Sequence, residues 1–164
     1  MTDTPGGVPA GGIPADRAAL LERVASAPGR IAAAARRRAA EDEAAGGPPP
    51  GEWSAREVVG HLVAVEIRVW QARLDSLDAG GPPDWSWTEP GPATDPAAGT
   101  LEGAIALLAA LRSVTLARVG RLDEPGWARA GTHATFGRLD VAGLLTVAAD
   151  HDDEHLAGLR ARGS

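Results

Sequence analysis

Residues 140–159 read DVAGLLTVAADHDDEHLAGL, and two histidines in this stretch, His151 and His155, continue an apolar stripe. Asp140 is a favourable N-cap, so the segment predicts a helix running close to the C-terminus. Counted at about 100° per residue, Val141, Leu144, Ala148, His151, His155 and Leu159 share one arc, and Asp152 falls inside it. The histidines therefore face the interior. Imidazoles at i and i+4 project from the same side of a helix and can grip one metal ion. A third imidazole from a facing helix would leave part of the coordination sphere open, as in catalytic metal sites.

That third imidazole is offered upstream by WSAREVVGHLVAVE, residues 53–66. Ser54-Ala55-Arg56-Glu57 has the form of a capping box, with Trp53 before it as a hydrophobic staple. The helix so started should reach about Asp78 and stop at Gly80-Gly81-Pro82-Pro83. Its polar face is Glu57, Gly60, Ala64, Gln71, Asp75 and Asp78. His61 lies at the edge of its apolar arc, with Glu66 and Arg73 near the middle. His61 stands about 10 Å along the axis from its cap, and His151 and His155 about 10–15 Å from the end of theirs. Those levels match if the two helices run antiparallel.

The remaining elements make that arrangement feasible. Asp16 caps a short helix to about Ala25, Pro28 marks a break or a first-turn proline, and an Ala-rich helix follows to about Ala45. Thr100 caps another helix, carrying Leu101, Ile105, Leu108, Leu111 and Val114 and ending near Leu122. Connections at 79–99 and 123–138 are long and rich in Gly and Pro. Strand signals are weak, since tyrosine is absent and phenylalanine occurs once. Four main helices predict an all-α four-helix bundle. A plain up-down-up-down order would make the second and fourth helices parallel. The long link between the second and third permits up-down-down-up, which makes them antiparallel. Residues 1–15 read as a disordered tail and 16–162 as the bundle domain.

Composition narrows the function classes. The net charge of −6 gives no electrostatic footprint for nucleic acid. The run Arg36-Arg37-Arg38 is offset at once by Glu41, Asp42 and Glu43. No stretch approaches the roughly 20 apolar residues of a membrane span, and the N-terminus does not read as a signal peptide, so a cytoplasmic location is expected. There is no cysteine. Any thiol chemistry would therefore have to bring its sulfur on a cosubstrate.

Taken together, WSAREVVGHL followed by Glu66, and later Gly137 with a capped helix bearing His151-Asp152 and His155, resemble the signatures of DinB-like proteins. The resemblance spans about residues 16–162. It implies an up-down-down-up bundle and a divalent metal, zinc or nickel, on His61, His151 and His155. It also implies, by way of metal-dependent transferases and a maleylpyruvate isomerase, a low-molecular-weight thiol such as mycothiol or bacillithiol as cosubstrate. The Ala-, Gly-, Arg- and Pro-rich composition suggests a GC-rich host, which favours mycothiol. The partners are then that thiol and a small-molecule electrophile, in S-transfer or thiol-assisted isomerisation. Activated water in a hydrolase or lyase, and a binding bundle without turnover, are the alternatives.

Other residues carry expectations of their own. Glu66 and Arg73 are read first as a buried pair, because buried charges are usually paired; alternatively Arg73 holds a carboxylate of the incoming thiol. Asp152 either orients a ligand imidazole or reaches water. His133 is expected to be a solvated loop residue, with an approach to the pocket as the other option. Trp53 and Trp70 are read as core in preference to a cofactor platform. Trp85 and Trp87 either line the pocket or staple the long loop. The Asp152-Asp153-Glu154 run is too short for a separate calcium site. The broad apolar arc of the Ser54 helix could serve the core or a homodimer contact.

Overall fold

The computed structural model describes residues 15–161. The expected tail at 1–15 lies outside that range except for Ala15, which opens α1. Helix α1 spans Ala15–Ala44 without interruption, with Pro28 inside it. The expected break is absent, and a distant residue shows why. A proline has no N–H, so the carbonyl four residues back loses its helical donor. That carbonyl is Val24 O, and it accepts instead from the Arg112 guanidinium at 3.0 Å.

Helix α2 is one rod in three registers: Ala55–Val65, a π-helical Glu66–Gln71, and Ala72–Asp78. The capping box forms as expected, with Ser54 Oγ accepting from Glu57 N at 3.3 Å and Ser54 N donating to the Glu57 carboxylate at 2.8 Å. The π turn bonds i→i+5, yet the faces counted from the cap hold beyond it: Gln71, Asp75 and Asp78 stay on the wetter side, and Glu66 and Arg73 are both buried. The expected Glu66–Arg73 pair does not exist, because seven residues separate the two by about 10 Å of helix rise. Glu66 pairs with Arg112 instead.

Helix α3, Leu101–Val119, is capped by Thr100, and α5, Val141–Arg160, by Asp140. Between them lies the short α4, Glu124–Trp127. In α3 the buried stripe is Ala104, Ile105, Leu108, Arg112, Thr115 and Val119, while Val114 is exposed against expectation. No helix among the described residues is long and apolar enough to cross a membrane.

Side-chain pairings fix the directions. Arg36 near the end of α1 bonds Glu102 at the start of α3, and Arg118 near the end of α3 bonds Asp75 and Asp78 at the end of α2. Arg23 and Arg30 of α1 reach Asp150 and Asp153 of α5. Helices α2 and α3 thus run together, opposite to α1 and α5, and the bundle is up-down-down-up. The core forms two apolar clusters. One joins Val69, Trp70, Leu74 and Leu77 to Val141, Leu144 and Leu145. The other joins Ile31, Val59, Leu62 and Leu108 to Leu156 and Leu159. The apolar arc of α2 is consumed there, apart from the exposed Ile67.

The long connections hold a small sheet that the sequence did not suggest. Strand β1, Asp84–Trp85, pairs in parallel with β2, Ala130–His133, which pairs antiparallel with β3, Gly137–Asp140. The sheet ties the two connections together. Gly131 is required: a Cβ there would meet Pro83 O and the Trp85 indole at 2.8 Å. Trp85 is buried and donates to Ser76 Oγ at 3.0 Å, so it staples the loop to α2, whereas Trp87 is exposed. His133 is not a solvated loop residue. It is buried on β2, and its Nδ1 accepts from Thr135 N at 3.0 Å.

Candidate metal centre

The three histidines meet. His61 on α2 is completely buried, and its ring centroid lies 4.8 Å from that of His155 and 5.5 Å from that of His151. The Nε2 atoms of His151 and His155 stand 3.2 Å apart. A fourth residue joins them from the 79–99 connection: Glu89, whose Oε1 is 3.5 Å from His61 Nε2. One ligand atom from each of His61, Glu89, His151 and His155 lies within 4.8 Å of all the others.

Local structure orients the ring of His61 and selects the tautomer of its neutral form. Its Nδ1 lies 2.6 Å from Pro90 O, which can only accept, so in the neutral ring Nδ1–H donates there and Nε2 carries the lone pair. That atom is buried and has no hydrogen-bond partner among the described residues. A histidine that gives one ring N–H to a backbone carbonyl and turns the other nitrogen inward is the usual support for a metal ligand. Ligand atoms at about 2.0–2.1 Å from a tetrahedral zinc would stand roughly 3.4 Å apart. The 3.2 and 3.5 Å separations found here fit that spacing. The residues present can hold a divalent ion.

Burial, followed by the charge of the neighbouring histidine, lowers His151 from 6.5 to about 4. His155 is lowered to about 4 by burial and then by His151 and His61. Both imidazoles are neutral at pH 7, the form that ligates. Their unfolded counterparts take up protons near 6.5. Between those values the unfolded chain binds more protons, so metal-free protein should lose stability as pH falls from 6.5 toward 4 and lose no more from this source below 4. His133, lowered by burial and by Arg73, acts in the same direction. Urea-unfolding midpoints measured in chelator across this window should fall, and fall less steeply in a His151→Asn/His155→Asn variant. Equal slopes in the two proteins would dismiss the pair as the cause.

Behind the histidines lies a buried ion group. Arg112 donates to Glu66 Oε2 at 2.9 and 3.1 Å and to Asp152 Oδ2 at 2.8 Å, and Thr115 donates to Glu66 Oε1. Asp152 therefore neither touches a ligand imidazole nor reaches water; it ties α5 to α3 beside His151. The sequence reading missed Arg112. The spacing Ile105, Leu108, Arg112, Thr115, Val119 alternates three and four, and would have marked it as a core position. Glu89 was also missed, and a loop residue carries no periodic signal.

Aromatic rings wall the site. Trp70 is core as expected, edge-on to His151 at 6.0 Å. Trp53 is not core; 41% exposed, it packs 5.1 Å from His61. A cleft of about 470 Å³ opens beside His155, lined by Trp53, Val58, Arg38, Glu52, Glu154 and Leu159 among others. Arg38 there is already paired with Asp42. Arg73 differs. It is buried, donates to Ser86 O at 3.0 Å, lies 5.5 Å from the Trp70 ring, and has no carboxylate partner among the described residues.

A model of the DinB superfamily matches residues 15–158. No curated protein matches the chain significantly. Among solved structures it is similar to YfiT from Bacillus subtilis, described as a probable metal-dependent hydrolase with an unusual four-helix bundle topology. The identity is 18%, the TM-score 0.64, and the match covers 94% of this chain and 90% of that one.

Proposed function

The chain belongs to the DinB superfamily, and we propose that it is a metal-dependent enzyme using a low-molecular-weight thiol against a small electrophile. The observation that carries this reading is the convergence of His61, His151 and His155, with His61 Nε2 buried and without a hydrogen-bond partner among the described residues. A zinc or nickel ion held by these imidazoles would lower the pKa of a thiol and supply a thiolate near neutral pH. The chain has no cysteine of its own to compete for that role.

The chain's residues divide the remaining tasks. Trp53 and Trp70 limit access of water to the ligand nitrogens from two sides. The cleft beside His155 receives the electrophile. Arg73, a buried cation with no carboxylate of its own, takes a carboxylate of the thiol cosubstrate. The Trp70 ring neighbours both Arg73 and His151, which bounds their separation at about 12 Å, within the span of one extended small molecule. Transfer of sulfur and thiol-assisted isomerisation both use this arrangement.

Hydrolysis by activated water is the second reading. The carboxylate of Glu89 beside His61 favours it, being a group that could accept a proton from water, and it matches what is said of YfiT. Consumption of monobromobimane by zinc- or nickel-loaded protein, followed with and without 2-mercaptoethanol, tests the first reading. Enzyme-dependent acceleration should need both metal and thiol. Metal-dependent turnover of an activated ester without thiol would replace thiol transfer by hydrolysis, and no turnover under either condition would leave a binding bundle.

A further inference from the structure

On the basis of the metal-dependent reading above, we propose that Glu89 is a fourth, displaceable protein ligand that closes the metal site at rest and yields to an anionic sulfur ligand. Its Oε1 is as near to His61 Nε2, at 3.5 Å, as ligand atoms sharing one ion would be. The carboxylate makes no hydrogen bond among the described residues, and the polar atoms around it are those of His61, His151 and His155, all within 4.8 Å. Its place in the chain is fixed on both sides. Downstream, Pro90 O accepts from His61 Nδ1 and Ala93 N donates to Gly60 O at 2.9 Å. Upstream, Trp85 is locked in the sheet and onto Ser76. Gly60 lets the strap lie close, with Pro92 and Ala93 atoms at 3.6 Å from where a Cβ would stand. The strap therefore delivers Glu89 to the metal group, while 52% of its side-chain surface stays exposed. Such a carboxylate can swing out without disturbing the core.

The donor set decides what displaces it. Four fixed protein ligands describe a structural zinc site, whereas a catalytic site keeps one position open. A half-exposed carboxylate on a loop lies between these cases. Replacing it with water leaves the ion with three neutral imidazoles and two uncompensated positive charges. Replacing it with a thiolate preserves the charge and gives a borderline-soft ion a softer ligand. In that exchange one metal–oxygen bond breaks, one metal–sulfur bond forms, the carboxylate swings to solvent, and the thiol proton leaves to buffer. On the thiol reading, Glu89 thus sets a threshold that an anionic sulfur ligand passes and neutral water does not.

Cobalt(II) loaded into the full chain reports this without turnover. Glu89→Ala should retain one cobalt per chain with a changed visible spectrum, because one protein ligand has been lost. 2-Mercaptoethanol, titrated through its sulfur-to-cobalt charge-transfer band, should bind the variant at least about tenfold more tightly than wild type, since the competing ligand is gone; tenfold is about 1.4 kcal/mol. Glu89→Gln should fall between the two. Identical spectra and identical thiol affinities in wild type and Glu89→Ala would overturn the role of Glu89 and leave the histidine site standing. Wild-type protein that takes up no cobalt would overturn both.

Discussion

Replacing Arg112 with methionine should cost about 3–5 kcal/mol of stability, as expected when one partner of a buried ion group is removed. For a chain of this size that is a drop of roughly 6–20 °C in Tm. Three acceptors lose a donor together: Glu66 Oε2, Asp152 Oδ2 and the Val24 carbonyl. The carboxylates are 1% and 2% exposed, too little for water to replace the lost charge. Burial already raises the Asp152 carboxyl above its ordinary value, and the Arg112 charge opposes that rise. Without Arg112 the rise should be larger, and the folded state would hold a proton that the unfolded chain releases near 3.8. The deficit of the variant should therefore grow as pH increases above 3.8, until Asp152 ionises in the fold, and narrow under acid. A combined Glu66→Gln, Arg112→Met, Asp152→Asn variant should recover much of the loss, because the cost lies in the stranded charges rather than in the missing attraction. Chemical unfolding by circular dichroism separates these outcomes. An Arg112→Met protein within about 1 kcal/mol of wild type would show that water reaches the carboxylates.

What could be read from the sequence was what is encoded locally. Ser54 with Glu57, Thr100 and Asp140 each announce a helix start through a bond spanning three residues, and all three caps form. The His151–His155 spacing and the level of His61 also survive folding, since both follow from helix geometry and direction. The features that could not be read depend on residues far apart in the chain. Pro28 ends a helix by every local rule, yet α1 continues because Arg112 satisfies the carbonyl that the proline orphans. A two-residue strand such as Asp84–Trp85 exists only because β2 pairs with it. Trp53 looked like core because it precedes a capped helix, but it packs on His61 at the rim of a cleft. Glu66 and Arg73 looked like partners because both lie near the middle of one apolar arc, and both are buried, but the cation that reaches Glu66 is Arg112 from another helix.

Replacing His155 with alanine should eliminate metal binding without unfolding the chain. Wild-type protein should carry about one zinc or nickel per chain by elemental mass spectrometry after loading, and the variant close to none. Loss of one of three imidazoles leaves two nitrogens and a half-exposed carboxylate. Since removing groups that merely support a ligand weakens binding 10–100-fold, removing the ligand itself should weaken it by more than about a hundredfold. Stability gives an independent readout. Metal at a hundred times its dissociation constant should add about 2.7 kcal/mol to wild type and nothing to the variant. The metal-free proteins should behave differently below pH 6.5, where His155→Ala should resist acid better than wild type. It no longer contains one of the two imidazoles whose proton affinity folding depresses to about 4. A side chain that weakens the empty fold under acid and strengthens the loaded one is placed there for the metal. If His155→Ala keeps one tightly bound metal per chain, the assignment of α5 as a ligand-bearing helix is wrong.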